Sequence, residues 1–206
     1  MAYASTAELG AWLGPSTVAI NQSAELTIAL NGAEAIVDQW CGRTFNDAGS
    51  ASERKFYADS CYFVDVNDFS TTSGLVVKTD DDDDGTAETT WASTDYVLEP
   101  ENNLRNGATW PYCRIRAVEG RTFPIHRSGR PGVYVTARWG WAAVPAAVKS
   151  ATLLIAAADF QRRDSPHGVA GFGEFGVVRV RGTMDPRAAE LLAPYRKGST
   201  AAGIAG

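Results

Sequence analysis

The chain has 206 residues, 45% of them hydrophobic and 10% aromatic, and a formal net charge of −5. That length suits one domain, or one domain carrying a sizeable insertion, with enough apolar mass for a packed core. The composition excludes a disordered chain, and the acidic balance speaks against a protein that grips nucleic acid by its phosphates, though not against one past which DNA slides.

Charge is segregated along the chain. Residues 80–99 carry eight acids and no base, whereas residues 160–206 carry seven bases against four acids. A basic tail on an acidic body suits docking onto an acidic partner. Cys41, Cys61 and Cys113 are widely spaced and form no C-x-x-C pair, which predicts three buried free thiols and no metal site. No charged flank followed by an apolar run opens the chain, so no signal peptide is expected. The longest apolar stretch, Ala151 to Ala158, is too short to span a bilayer, and a soluble protein made inside the cell is the expectation.

In chain order, Ser5-Thr6-Ala7-Glu8 is a capping box that opens a short helix, stopped near Gly14-Pro15. A longer helix is predicted from about Asn21 to Cys41, with Leu26, Leu30, Ala33, Val37 and Trp40 on one apolar face and Gly42 as its C-cap. From about Glu53 to Trp141 the period changes to two. Strands are predicted at 55–57, 61–66, 75–79, 96–98, 114–118 and 133–139, separated by Asp-Gly, Asn-Gly and Pro-Gly turns. Such spacing fits a small antiparallel β domain or barrel. Helix resumes at Pro145, followed by a glycine-rich loop, a short strand at Val177 to Arg181, a helix opened by Asp185-Pro186, and a disordered tail from Gly198. The expected fold class is therefore α+β, with a small antiparallel β domain inserted into a helical one. Its expected divisions are residues 1–52, 53–143, 144–197 and a flexible 198–206.

Three patterns invite a chemical reading. Asp80, Asp82 and Asp84 followed by Gly85 match the start of a D-x-D-x-D-G calcium loop, in which alternate carboxylates converge on one hard cation. The twelfth position, however, is Trp91 and not a bidentate Glu, and only Glu88 lies nearby. A solvated hairpin turn is the expected reading, with a cation site as the alternative. Gly171-Phe172-Gly173-Glu174-Phe175-Gly176 satisfies G-x-G-x-x-G, but a helix precedes it and a strand follows, the reverse of the dinucleotide fold. Its two phenylalanines suit packing on a neighbouring subunit. Trp91, Trp110, Trp139 and Trp141, interleaved with Arg114, Arg116 and Arg138, read as core, the alternative being a stacking surface for single-stranded nucleic acid. His126 reads as a surface residue. His167, beside Asp164-Ser165-Pro166, has triad residue types nearby but no spacing that assembles them. No catalytic residue, cofactor site or enzyme activity is expected. The last helix is too short to stand alone, so it docks either on its own domain or on a partner.

The segments Thr6 to Gly14 (TAELGAWLG), Ala35 to Phe45 (AIVDQWCGRTF) and Gly140 to Lys197 together resemble the head-to-tail connector (adaptor) proteins of long-tailed double-stranded DNA phages. The resemblance covers both helical ends. The central part, including the Asp-rich turn and Trp91 to Tyr96, resembles a β insertion that some of those adaptors carry and others lack. The resemblance implies a helical bundle of the connector type that assembles as a ring, twelve copies in that family, beneath the portal protein. The ring extends the DNA channel and presents a platform to a stopper or tail-terminator protein. It further implies a place in the virion neck, assembled in the host cytoplasm, with double-stranded DNA passing through without sequence-specific binding and no membrane partner. By the same resemblance Asp185, Pro186, Leu191, Leu192, Pro194, Tyr195, Arg196 and Lys197 would dock on the portal. Residues Gly171 to Gly176, with Arg179 and Arg181, would lie at a subunit contact or on the channel. The runner-up expectation is an oligomeric binding module whose β insertion holds calcium or a glycan. A nucleotide-dependent enzyme is a third.

Overall fold

The computed structural model describes residues 2–14, 22–118, 120–162, 169–170, 178–179 and 184–197. The chain is α+β. Its contacts divide it into two units, residues 1–45 with 144–206, and residues 46–143.

Among the described residues the first unit holds four α-helices: α1 (Thr6–Leu13), α2 (Ser23–Cys41), α3 (Ala146–Arg162) and α4 (Pro186–Leu192). The expected capping box is present in both halves. Glu8 N–H donates to the Ser5 hydroxyl at 3.2 Å, and Ser5 N–H donates to Glu8 Oε2 at 2.8 Å. The Ser5 N–H on that carboxylate, with Lys149 Nζ 2.9 Å from Glu8 Oε1, holds the Glu8 carboxyl down at about 2. Gly14 ends α1 at φ +85°. Gly42 ends α2 in the left-handed conformation, its N–H on Asp38 O at 2.8 Å.

Helix α2 buries Leu26, Leu30, Ala33 and Val37, as its periodicity predicts, with Cys41 as the fifth member of the stripe. Trp40 is not in it: 37% of that side chain is exposed, because it stands on the flank of the buried face. Burial pushes the Cys41 thiol up to about 11, so it stays a thiol at neutral pH. Cys61 and Cys113 are only half-buried, not buried as expected, and neither forms a disulfide. Helix α3 packs on α1, α2 and α4, which is why it is apolar most of the way round, burying Val148, Ala151, Leu153, Ile155, Ala156 and Phe160. The one buried hydroxyl on it, Thr152, donates back to Val148 O at 2.9 Å.

Tyr3 ties this unit together. It is 1% exposed, its hydroxyl donates to Asp38 and accepts the Phe45 N–H at 2.8 Å, and its N–H donates to Glu34 at 2.6 Å. Tyr3, Phe45 and Tyr195 then form an edge-on relay, with Phe45 in the middle and its ring centroid 5.8 Å from each of the other two. Tyr3→Phe removes the acceptor for the Phe45 N–H while keeping the ring. We expect it to cost about 1–3 kcal/mol, read as a lowered urea midpoint with unchanged slope.

The second unit contains nine strands among the described residues: β1 (Ser52–Phe56), β2 (Phe63–Phe69), β3 (Val76–Thr79), β4 (Thr89–Thr90), β5 (Tyr96–Glu99), β6 (Leu104–Arg105), β7 (Ala108–Thr109), β8 (Tyr112–Ala117) and β9 (Val133–Ala137). They form antiparallel sheets of order β1-β9-β3-β4 and β2-β8-β5, plus the small β6-β7 hairpin. Alternation along β2 puts Val64 and Val66 inward and Asp65 outward, as a half-buried strand requires. A bridge between Phe69 and Trp139 joins the two sheets. Their inner faces share one core of Val64, Val66, Phe69, Val77, Ile115, Val133 and Val135, sealed by Trp91, Phe123 and Trp139. The two-residue strands β4, β6 and β7 escape sequence reading because two residues carry no period.

Candidate functional site

The C-terminal segment is the first candidate surface. Asp185 caps α4, its carboxylate accepting N–H groups from Arg187 at 2.8 Å and Ala188 at 3.1 Å, and Pro186 supplies the first helical position. Ala188 and Leu192 are fully buried in their own unit. Tyr195 stands edge-on to Phe45, and Lys197 N–H donates to Cys41 O at 2.7 Å. The Arg196 guanidinium lies 5.0 Å from the centre of the Trp40 ring. Leu191 is half-buried, while Asp185, Pro186, Pro194, Arg196 and Lys197 are exposed. The segment thus has an inner set of side chains that hold it down and an outer set that faces away.

The glycine-rich loop Gly171, Phe172, Gly173, Glu174, Phe175, Gly176 and Arg181 lie outside the described residues, as do His167 and the segment from 198. Arg179 is described only as a strand position, paired antiparallel with Val169.

The Asp-rich turn is the second candidate. Oxygen atoms of Asp80, Asp82, Asp84 and Glu88 all lie within 4.8 Å of one another. Asp80 is fully buried and accepts the N–H groups of Asp83 and Gly85, each at 2.8 Å. Asp82, Asp84 and Glu88 each turn one oxygen to a backbone N–H, of Asp84, Thr86 and Asp81. Hard oxygen donors at this spacing are of the kind that hold calcium.

A clasp from the 126–134 segment holds this turn. His126 Nε2 is 2.7 Å from Asp80 O, and its Nδ1 is 3.4 Å from Asp83 Oδ1. The Ser128 hydroxyl donates to the Asp83 carboxylate, and that bond is the main reason the Asp83 carboxyl sits below its usual range. Arg130 donates to the carbonyls of Asp83 at 3.2 Å and Asp84 at 2.9 Å, and Tyr134 to that of Gly85 at 2.7 Å. His126 is therefore not the surface residue its isolated position suggests, since its side chain is 5% exposed. Its partners are 46 residues away in sequence, and no local pattern signals them.

The tryptophans are core, not a stacking platform: Trp91, Trp110, Trp139 and Trp141 are all 6% exposed or less. Trp91 stacks on Phe123 at 4.5 Å, and Trp141 Nε1–H donates to buried Asp68 at 2.9 Å. The arginines beside them are committed to carboxylates, Arg114 to Asp65, Arg116 to Glu99 and Arg138 to Asp47. An open cleft of about 490 Å³ lies beside that last pair, lined by Ser70, Thr71 and Ser73. None of its lining residues is aromatic, so it lacks the ring on which a sugar face would stack. No helix among the described residues is long and apolar enough to cross a membrane.

No family model matches the chain, and no curated protein matches it. Solved structures do. A chain in the neck of an empty GTA particle, computed with C6 symmetry, shares 21% identity at a TM-score of 0.54. A chain in the neck of the native GTA particle, computed with C12 symmetry, shares 19% at 0.51, and one in the virion of the native gene transfer agent particle 18% at 0.53. Each alignment covers 96% of this chain and 91% of the other. What is common at this identity is the fold, and it extends over both units.

Proposed function

We propose that this chain is a structural protein of the neck of a phage-like particle, where a ring of copies lies below the portal, joins head to tail and extends the DNA channel. The observation that carries this is the match of the whole fold, helices and β unit together, to chains found in necks. Those necks were computed with sixfold and twelvefold symmetry, which supports a ring, and twelve copies agrees with the adaptor resemblance. The helical unit is then the connector bundle, and the β unit is an insertion carried on the ring. The portal contact is assigned to the outer residues of the C-terminal segment, Asp185, Pro186, Leu191, Pro194, Arg196 and Lys197, held in place by Leu192 and Tyr195. A stopper or tail-terminator protein would occupy the opposite face, and an acidic wall lets double-stranded DNA pass without adhering. This work needs identical weak contacts closed into a ring, not catalysis.

Electron cryomicroscopy of the particle neck tests the proposal. A ring of this chain between portal and tail, with 185–197 against the portal, is the expected result. A neck complete without the chain would end it.

The convergence of four carboxylates favours one second reading, a β unit that holds calcium. On that reading calcium raises the melting temperature, and the rise disappears in Asp82→Asn, because a ligand bound only to the folded state must stabilise it. Calorimetric silence at millimolar calcium would dismiss it.

A further inference from the structure

Helix α2 has ten exposed residues between Ser23 and Trp40, and none of them is charged. Its three acids, Glu25, Glu34 and Asp38, are half-buried, and Tyr3 bonds two of them. One row at four-residue steps, Ala24, Ile28, Gly32, Ile36 and Trp40, winds from the outer side to the flank of the buried face, every member exposed, and at its far end the Trp40 ring carries the Arg196 guanidinium at 5.0 Å. Ile28 is 72% exposed, Ile36 38% and Trp40 37%. Such a row is the ridge that interdigitates when two helices pack, and Gly32 makes a notch in it. In a chain with 21% charged residues, a helix whose own exposed residues are all uncharged, with Arg196 reaching it only at the Trp40 end, has the composition of an interface centre and not of a solvated helix.

We propose that this ridge is the contact by which one copy of the chain packs against the next copy in the ring. The proposal rests on the ring reading and adds the surface that makes it. The occupant follows from charge and area. The helix carries no Lys or Arg, so it offers nothing to DNA phosphates. Each copy bears a net charge of −5, and acidic copies meet with least repulsion on a surface from which charge is excluded. The ridge covers about 24 Å of helix at 1.5 Å per residue and about 10 Å of width, so on the order of 250 Å². A stable isolated pair needs about 800 Å² per partner. The ridge therefore suits a contact that is weak in a pair and sufficient when many copies close a ring. Closure beyond two copies requires the ridge to meet an unlike surface on its neighbour, since a self-matching contact stops at a dimer.

Two experiments on the full chain in assembled particles test this. A benzophenone amino acid placed at Ile28 is expected to give, on irradiation, an adduct of twice the chain's 22.0 kDa. An adduct with a different protein, or none while the chain sits in the neck, overturns the assignment of this face. Absence of the wild-type chain from the neck overturns the ring reading itself. Gly32→Glu is the second variant. A Cβ at Gly32 meets nothing within 4 Å, and Glu favours helix over Gly, so the variant is expected to melt no lower than wild type. Its incorporation into particles is expected to fall at least tenfold, while Ser50→Glu, an exposed site in the β unit with the same added charge, incorporates normally. Normal incorporation of Gly32→Glu overturns the proposal.

Discussion

Gly140→Ala is expected to unfold much of the β unit at moderate temperature. Gly140 has φ +105°, and an added Cβ would stand 1.7 Å from the Asn46 carbonyl oxygen and 2.8 Å from its carbon. The obstacle is backbone, so no side chain can swing away. The Gly140 N–H also donates to Asp68 O at 2.6 Å, which fixes the turn between Trp139 and Trp141 from the other side. Positive φ at a residue with a Cβ costs about 1–3 kcal/mol, and forced overlap in a packed region adds about 1–3 kcal/mol. Against a net domain stability of about 5–15 kcal/mol, that is a large share. A loss of about 3 kcal/mol or more predicts a fall in Tm of roughly 12–24 °C for a unit of this size. Gly129→Ala is the companion. Gly129 also has positive φ, +75°, but a Cβ there meets nothing, so only the conformational cost of about 1–3 kcal/mol should appear, without the overlap. Thermal unfolding followed by tryptophan fluorescence reads both. Equal stability of the two variants would refute the close approach of 140 to 46.

Local signals carried much of this fold in the sequence, and long-range ones carried little. Ser5 and Glu8 announce α1 because both partners of the capping box lie within one turn. The buried stripe of α2 is legible at Leu26, Leu30, Ala33 and Val37, because spacing alone defines one face. Trp40 shows where that reasoning ends, since spacing cannot say whether a flanking residue turns in or out. The clasp of His126, Ser128, Arg130 and Tyr134 on the Asp-rich turn was invisible, as its two halves are brought together only by β3 pairing with β9. The charge-free outer face of α2 was in the sequence all along. It is easily passed over when attention goes to the apolar face that makes the core. For the C-terminal segment, Asp185-Pro186 signalled a helix start, yet nothing local distinguishes Leu191, half-buried, from Leu192, fully buried.

Leu192→Ala is expected to cost about 2–5 kcal/mol, because the side chain is fully buried and α4 cannot close over the gap. A helix of seven residues has no stability of its own, so loss of its anchor should release the whole segment. Arg196→Ala with Lys197→Ala is the opposite case. Both residues are exposed, and the stacking of Arg196 on Trp40 is worth about 0.5–1 kcal/mol at such a site, so the double variant should melt close to wild type. The two roles of the segment then separate. If the portal reads the segment as it lies, the double variant stays folded and loses its place in the particle, while Leu192→Ala loses stability first and place as a consequence. Lifting α4 off its bed would require giving up the burial of Ala188 and Leu192 together, several kcal/mol on the same scale. On the proposed portal contact, a single weak interface would not offset that, so recognition in place is the arrangement the energetics favour. Wild-type incorporation of the Arg196/Lys197 double variant, measured beside its melting curve, would remove the bases from the docking surface.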